Sequence, residues 1–379
     1  MPPMGRRRKD TASDLEPRVY LRSGAYYYVH RTGKWEGLGK DKAAANEKAR
    51  LYNDPAGLQG TMVHWLDLFL VHCEARVKAG SMAARTLADY TEAIKGLPER
   101  PAKGQQPARP AVPGPLRVFF APPMTPLDVT PAMVNEYLAI GAELGRPVPA
   151  NREKAALSSC MGWLCRNSKV PGLVVNPCLR ASGIQRNRET SRERYVTHEE
   201  YRAVWAEAHL SARLLMEITY RTLQRPESDV IHWDTTVLSR NAAGKRVLKF
   251  KQGKTGKLMQ IEVDEQLDQL IQQSLGDVRS LRQPLVRNRD GHPYTYDGIS
   301  ANLKKAIARA NKKRKAAGLE PIPSFGFRDL KGKGATDMWL SGVPLEEIQA
   351  LCGHGDKTTT EIYVKARWRE TVTPNRVAM

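Results

Sequence analysis

The chain has 379 residues, 60 Lys and Arg against 40 Asp and Glu, and a formal charge of +20. That length allows two or three domains, and that charge favours a polyanionic partner, because each phosphate neutralised by Lys or Arg releases condensed counterions. No run of about 18 apolar residues is present, the basic N-terminus lacks an apolar signal region, and the five Cys (73, 160, 165, 178, 352) form no Cys-x-x-Cys pair. A membrane span, secretion, a disulfide framework and a structural zinc site are all disfavoured.

Residues 1–55 read as a small unit. Gly5-Arg6-Arg7-Arg8-Lys9 is a basic arm without hydrophobic periodicity. Val19–Leu21, Ala25–Val29 and Trp35–Leu38 read as three short strands, with turns at Ser23-Gly24 and Thr32-Gly33-Lys34, and Asp41–Tyr52 as a helix. The tyrosines are core packing or part of a groove-reading face. The two readings are compatible, because strands alternate faces.

After a linker at residues 54–60, Met62–Lys78 has helical spacing of Val63, Leu66, Phe69, Leu70 and Cys73, and Thr86–Leu97 continues as helix. Pro98–Pro126 is rich in Pro and Gly and reads as a long loop. Thr130-Pro131 opens another helix, with Thr as N-cap and Pro at N1. Pro149–Asn167 is a further helix with Leu157, Cys160, Met161 and Leu164 on one face, and Asn176-Pro177 closes this helical region. Residues 180–194, rich in Arg, read as a basic linker.

A larger region follows from Tyr195. Thr197 with Glu200 forms a capping box, and helices run to about Leu223. Val247–Phe250 and Leu258–Val263 form a hairpin around Gly253-Lys254-Thr255-Gly256, and helices follow up to Tyr363. The tail, 364–379, is short and basic.

Four separated patches carry chemistry. The first is Thr222-Leu223-Gln224-Arg225-Pro226-Glu227-Ser228-Asp229, where an Arg suits two-pronged phosphate contact, or else pairs with Asp229 at i+4 for about 0.3–0.5 kcal/mol. The second is Lys254 in the hairpin turn, whose ammonium can protonate a departing oxygen; the Gly-x4-Gly-Lys-Ser/Thr pattern of an ATP loop is not met. The third is Phe327-Arg328-Asp329-Leu330-Lys331-Gly332. The fourth is Gly353-His354 closing a helix, with Tyr363 nine positions after the His. A phenol of pKa about 10 attacks poorly at neutral pH unless cations stabilise its phenolate and the transition state.

In this order and spacing the patches resemble those of the tyrosine recombinases, the phage integrase family. The resemblance implies Tyr363 as nucleophile, Arg225 and His354 as phosphate ligands, and Lys254 as proton donor. It places Arg328 where the family has His and Lys331 where it has its second Arg, though a register with Arg328 as the phosphate clamp stays open. The family's acidic residue falls three positions after the first Arg; Ser228 holds that place here, with Asp229 as stand-in.

The resemblance extends over nearly the whole chain and implies an α+β multidomain protein. Residues 1–55 look like the arm-type DNA-binding domain of lambda-like integrases, a three-stranded sheet plus helix, with Arg6, Arg7, Arg8, Tyr26, Tyr28 and Lys34 on DNA. Residues 60–180 look like the helical core-binding (SAM-like) domain, with Asn151 and Arg152 near DNA. Residues 190–379 look like the mostly helical catalytic domain with its small sheet.

Family behaviour implies double-stranded DNA with core and arm attachment sites, a homotetramer, a 3′-phosphotyrosyl intermediate, and a host DNA-bending protein and excisionase as further partners. It implies no cofactor and no metal, since bond energy is kept in the phosphotyrosine, and a place in the bacterial cytoplasm at the nucleoid. Two rivals remain: a catalytically weak DNA-binding regulator, suggested by Lys331 and the shifted Asp229, and a nicking-closing topoisomerase-like enzyme.

Overall fold

The computed structural model describes residues 14–54, 57–102, 104, 107–190, 194–276 and 282–365. The basic arm with Arg6, Arg7 and Arg8, and the tail after Lys365, lie outside the described residues. The chain divides into two compact units, residues 1–190 and 191–379.

The first unit contains two separate hydrophobic clusters. The smaller gathers Leu15, Val19, Tyr28 and Ala49 between an antiparallel sheet and a helix. The strands are β1 (Val19–Arg22), β2 (Ala25–Val29) and β3 (Trp35–Gly39), in the order β1-β2-β3, and the helix is α1 (Lys42–Asn53). Arg22 pairs with Ala25, which leaves a two-residue turn in which Ser23 and Gly24 both have positive φ, +50° and +76°. Such a turn matches the right-handed twist of the strands. Asp41 caps α1 by accepting from the Ala44 amide.

The period-2 alternation sets which aromatic faces which way. Val19 pairs with Tyr28 and Tyr20 with Tyr27, so Tyr26 and Tyr28 share the helix-covered face while Tyr20, Tyr27 and Trp35 share the other. On that second face Trp35 packs against both tyrosine rings, at 5.5 and 6.3 Å between centroids. Tyr28 is 4% exposed and donates its hydroxyl to Asn53 Oδ1 at 2.8 Å. The expectation that Tyr28 meets DNA is therefore corrected: burial and this hydrogen bond commit it to the core, and Tyr26 lies half-buried on the same side. Lys34 is exposed in the turn before β3.

The larger cluster lies among α2 (Met62–Lys78), α3 (Ala84–Lys95), α5 (Pro131–Glu143) and α6 (Pro147–Arg166). Between α3 and α5 the expected long loop carries structure: a small ladder of β4 (Gly96–Leu97) with β5 (Val112–Pro113), then α4 (Pro115–Phe119). Leu116 and Phe120 there are fully buried. Two glycines make this approach. A Cβ on Gly96 would lie 2.0 Å from the Val112 carbonyl oxygen, and one on Gly114 2.0 Å from that of Ile94.

Asn151 on α6 is 1% exposed. It donates to the Asn187 carbonyl and Glu189 carboxylate and accepts from the Asn187 amide. This corrects two expectations: Asn151 is spent on its own chain, and residues up to 189 are tied to the helical region instead of forming a free linker. Arg152 beside it is exposed.

The second unit opens with α7 (His198–Glu207), whose Thr197–Glu200 capping box is fully formed, and α8 (Leu210–Thr222). A three-stranded antiparallel sheet follows: β6 (Leu238–Arg240), β7 (Arg246–Lys251) and β8 (Leu258–Glu262). The remaining helices are α9 (Glu265–Leu275), α10 (Tyr296–Ala316), α11 (Phe327–Leu340), α12 (Leu345–Cys352) and α13 (Lys357–Lys365). α11 is the central helix. Every residue from Asp329 to Thr336 is buried, and Gly334 presses against the Tyr220 carbonyl of α8, where a Cβ would stand 2.1 Å away. All five cysteines are free, and among the described residues no helix is long and apolar enough to cross a membrane.

Candidate active site

The site is assembled where α8, the β7–β8 turn, α11 and the α12–α13 turn bring the four patches together. α8 ends at Leu223, which holds a left-handed conformation (φ +55°) without being glycine. That backbone costs about 1–2 kcal/mol. The Leu223 side chain is fully buried in a cluster with Ile348, Cys352 and Val364, which holds it in place. The reversal lets Gln224 turn inward and brings Arg225 into the site.

Arg225 is partly buried and stands 3.8 Å from the Asp229 carboxylate. One of its guanidinium nitrogens is out of water with no hydrogen-bond partner. Asp229, 4% exposed, accepts from the Gly253 amide at 2.6 Å and from the Ser228 hydroxyl at 3.1 Å. This one carboxylate links the first patch to the turn that carries Lys254.

Lys331 is 4% exposed on α11, with Nζ 3.4 Å from His354 Nε2 and 5.7 Å from the centre of the Tyr363 ring. The His354 ring stacks on Tyr363, 5.6 Å between centroids at 25°. Its Nδ1 lies 3.0 Å from the Thr360 hydroxyl. His354 is pushed down to about 4, by loss of water first and then by Lys331, Arg225 and Lys254. The imidazole is therefore neutral at pH 7. An ammonium on Lys331 can only donate, so whenever Lys331 is charged Nε2 accepts and the ring proton sits on Nδ1, facing Thr360. Burial also lowers Lys331 below the ordinary lysine range, with Arg225 and Lys254 pushing the same way and Asp229 opposing.

Five expected residues thus come together: Arg225, Lys254, Lys331, His354 and Tyr363, with Asp229 behind them. Arg328 does not. Its side chain is 75% exposed and ion-paired to Glu227 at 2.8 Å, because the first turn of α11 points it to solvent, and Lys331 one turn later reaches His354. The register with Arg328 as clamp is set aside on the same geometry.

Gln224 in the first patch and Gln252 just before the Lys254 turn had no role assigned from the sequence. They are 0% and 1% exposed and hydrogen-bonded to each other and to the end of α12. Nor was a role assigned to Lys333, two residues from Lys331, which is 1% exposed and neutralised by Asp337 at 2.9 Å. The signal for Lys333 was an i+4 carboxylate; the glutamines left none, since their partners are distant carbonyls.

Residues 194–369 match the Phage integrase family. The integrase of Escherichia phage HK022 is 24% identical over 401 residues, which cover 97% of this chain and 98% of that one. The integrase of Escherichia phage lambda is 24% identical over 402 residues, with the same shares. Among solved structures, a lambda integrase dimer bound to a COC' core site is similar at a TM-score of 0.59 and 20% identity, covering 98% of this chain and 99% of that chain. A lambda integrase tetramer bound to a Holliday junction is similar at 0.60 and 20%, covering 96% and 99%. These two likenesses show the fold.

Proposed function

We propose that this chain, whose residues 194–369 match the Phage integrase family, is a site-specific DNA recombinase acting by tyrosine transesterification, with Tyr363 as its nucleophile. The observation that carries this reading is the stacking of Tyr363 on His354 above Lys331, with Arg225 and Lys254 acting on the same imidazole.

The step is a phosphoryl transfer. The Tyr363 oxygen attacks a DNA phosphorus and its proton leaves to water. A tyrosyl–phosphorus bond forms, the bond from phosphorus to the 5′ oxygen breaks, and Lys254 protonates that oxygen. Arg225 and Lys331 neutralise the non-bridging oxygens as charge builds on them. Lys331 brings a point charge and not a planar fork, so it supplies field without two-pronged alignment. Phosphate arrival draws its ammonium off His354, and Nε2 is released from that contact. A 5′ hydroxyl from a partner strand then reverses the step and reseals the backbone.

The partner is double-stranded DNA. The fold likeness to lambda integrase on core sites and on a Holliday junction supports strand exchange by several copies. In the first unit, the exposed Lys34 and the Tyr20–Tyr27–Trp35 face suit a DNA groove, and the exposed Arg152 suits a backbone phosphate. Domains at 1–55, 60–180 and 190–379 fit the two hydrophobic clusters of the first unit and the separate second unit. A host bending protein and an excisionase are further partners of this reading, with the work done at the host DNA in the cytoplasm.

The test is covalent trapping. The protein is incubated with nicked duplexes tiled across the DNA bordering its own coding region. A protein–DNA adduct that maps one cleavage sequence and disappears in Tyr363→Phe supports the reading. Tight binding with no adduct on any duplex would make the chain a DNA-binding regulator.

A further inference from the structure

Two buried glutamines lie behind the site and link the segments that carry Arg225, Lys254 and His354. Gln224, next to Arg225, donates to the Thr222 carbonyl at 2.8 Å and to the Leu351 carbonyl at 2.7 Å. Gln252, two residues before Lys254, donates to Gln224 Oε1 at 2.7 Å and to the Cys352 carbonyl at 3.2 Å. Its own Oε1 accepts from the Thr255 hydroxyl at 2.5 Å, across the turn that presents Lys254. Gly353, just before His354, packs on this amide so closely that a Cβ there would stand 2.3 Å from it, and its φ is +69°.

Neither glutamine is needed to fill a hydrophobic core; their own cost of burial is offset by meeting carbonyls and one another. Lys254 itself is exposed on a four-residue turn, and among the described residues no hydrogen bond or ion pair holds its ammonium. Two backbone bonds close the turn, from the Gln252 amide to the Lys257 carbonyl and from the Gly256 amide to the Gln252 carbonyl, and two side chains anchor it: Asp229 on the Gly253 amide and Gln252 under Thr255. Removing the second anchor leaves the charge of Lys254 in the region but frees its direction.

We propose that the Gln224–Gln252 pair is a positioning element that fixes Lys254 against the departing 5′ oxygen and holds that turn in register with Arg225 and His354. The inference rests on Lys254 as proton donor. A loosened donor slows bond breaking without weakening DNA binding, because binding draws on many cations and proton transfer on the placement of one atom. A displacement of about 1 Å costs on the order of a hundredfold in rate.

The experiment uses full-length protein in single-turnover cleavage of two duplexes that carry the mapped cleavage sequence. One has the ordinary phosphodiester and the other a bridging sulfur in place of the 5′ oxygen. A thiolate leaves without being protonated, so the sulfur substrate bypasses the donor. Gln252→Met should lower the rate on the oxygen substrate by roughly a hundredfold and restore near-native rate on the sulfur one, with DNA affinity unchanged. Gln224→Met should show the same pattern, more weakly. Where Gln252→Met does not fold, Thr255→Val removes the hydroxyl from the exposed turn and reads the same ratio.

Lys254→Ala is run alongside. If Lys254→Ala is rescued by sulfur and the glutamine and Thr255 variants are slowed equally on both substrates, or on neither, the positioning role is overturned. If Lys254→Ala is itself not rescued, the proton-donor reading fails, and the inference falls with it.

Discussion

In the N-terminal sheet, Arg31 and Lys34 sit in a solvent-facing turn, whereas in the second unit Lys331 lies in a helix almost wholly out of water. The first arrangement costs nothing to hold and is screened by salt, so it suits a surface that meets any phosphate. In the second, a lysine sits beside Arg225 and Lys254 in a region of low dielectric. That is unfavourable until an anion arrives, and it concentrates the field at one point. Under the proposed function the same residue types thus serve adhesion in one place and chemistry in the other, and burial makes the difference.

Five measurements probe this contrast. The largest effect is expected at Tyr363: Tyr363→Phe should abolish the covalent adduct while gel-shift affinity stays within a factor of about two. An adduct that persists would move the nucleophile elsewhere. Next, Lys331→Met should reduce cleavage by about 10²–10³ yet leave the melting temperature equal or higher, since it removes a charge that loss of water and the cations Arg225 and Lys254 disfavour. A marked fall in melting temperature would show that Lys331 is a structural lysine, as Lys333 is with Asp337.

The third concerns acid. His354 has a folded pKa of about 4 against an ordinary 6.5, so between those values the unfolded chain binds the extra proton and the folded one does not. Stability from this group is present above pH 6.5 and is lost as pH falls toward 4. Thermal melting followed over that window should show a slope that His354→Gln flattens. Fourth, Tyr28→Phe should cost about 1 kcal/mol, the hydroxyl's bond to Asn53, while Tyr27→Phe on the open face should cost little. Equal losses in chemical denaturation would reverse the assignment of faces. The smallest effect is at Lys34: Lys34→Ala should lower the slope of log affinity against log salt by about one.

Much of this was legible in the chain, for identifiable reasons. The Thr197–Glu200 box and the Thr130-Pro131 start are local signals, and the helices they predict form there. The strands of the first unit were legible as strands, but not their parity, because tyrosines at 26, 27 and 28 satisfy either face; the pairing of Val19 with Tyr28 decides it. The segment 98–126 read as loop because Pro and Gly dominate it, although Leu116 and Phe120 anchor it by burial that no periodicity announces. At the site, residue types in order pointed to the cation group. Arg328 and Lys331, three apart on one helix, could be separated only by knowing which side of α11 meets His354.

The stacking of Tyr363 on the imidazole of its own chain bears on molecularity. Under the proposed function a solitary copy holds nucleophile, clamp and acid on one polypeptide, so the rate of the initial nick on a saturated site should be flat across protein concentration. Formation of exchanged product, which takes a second duplex, should climb with it.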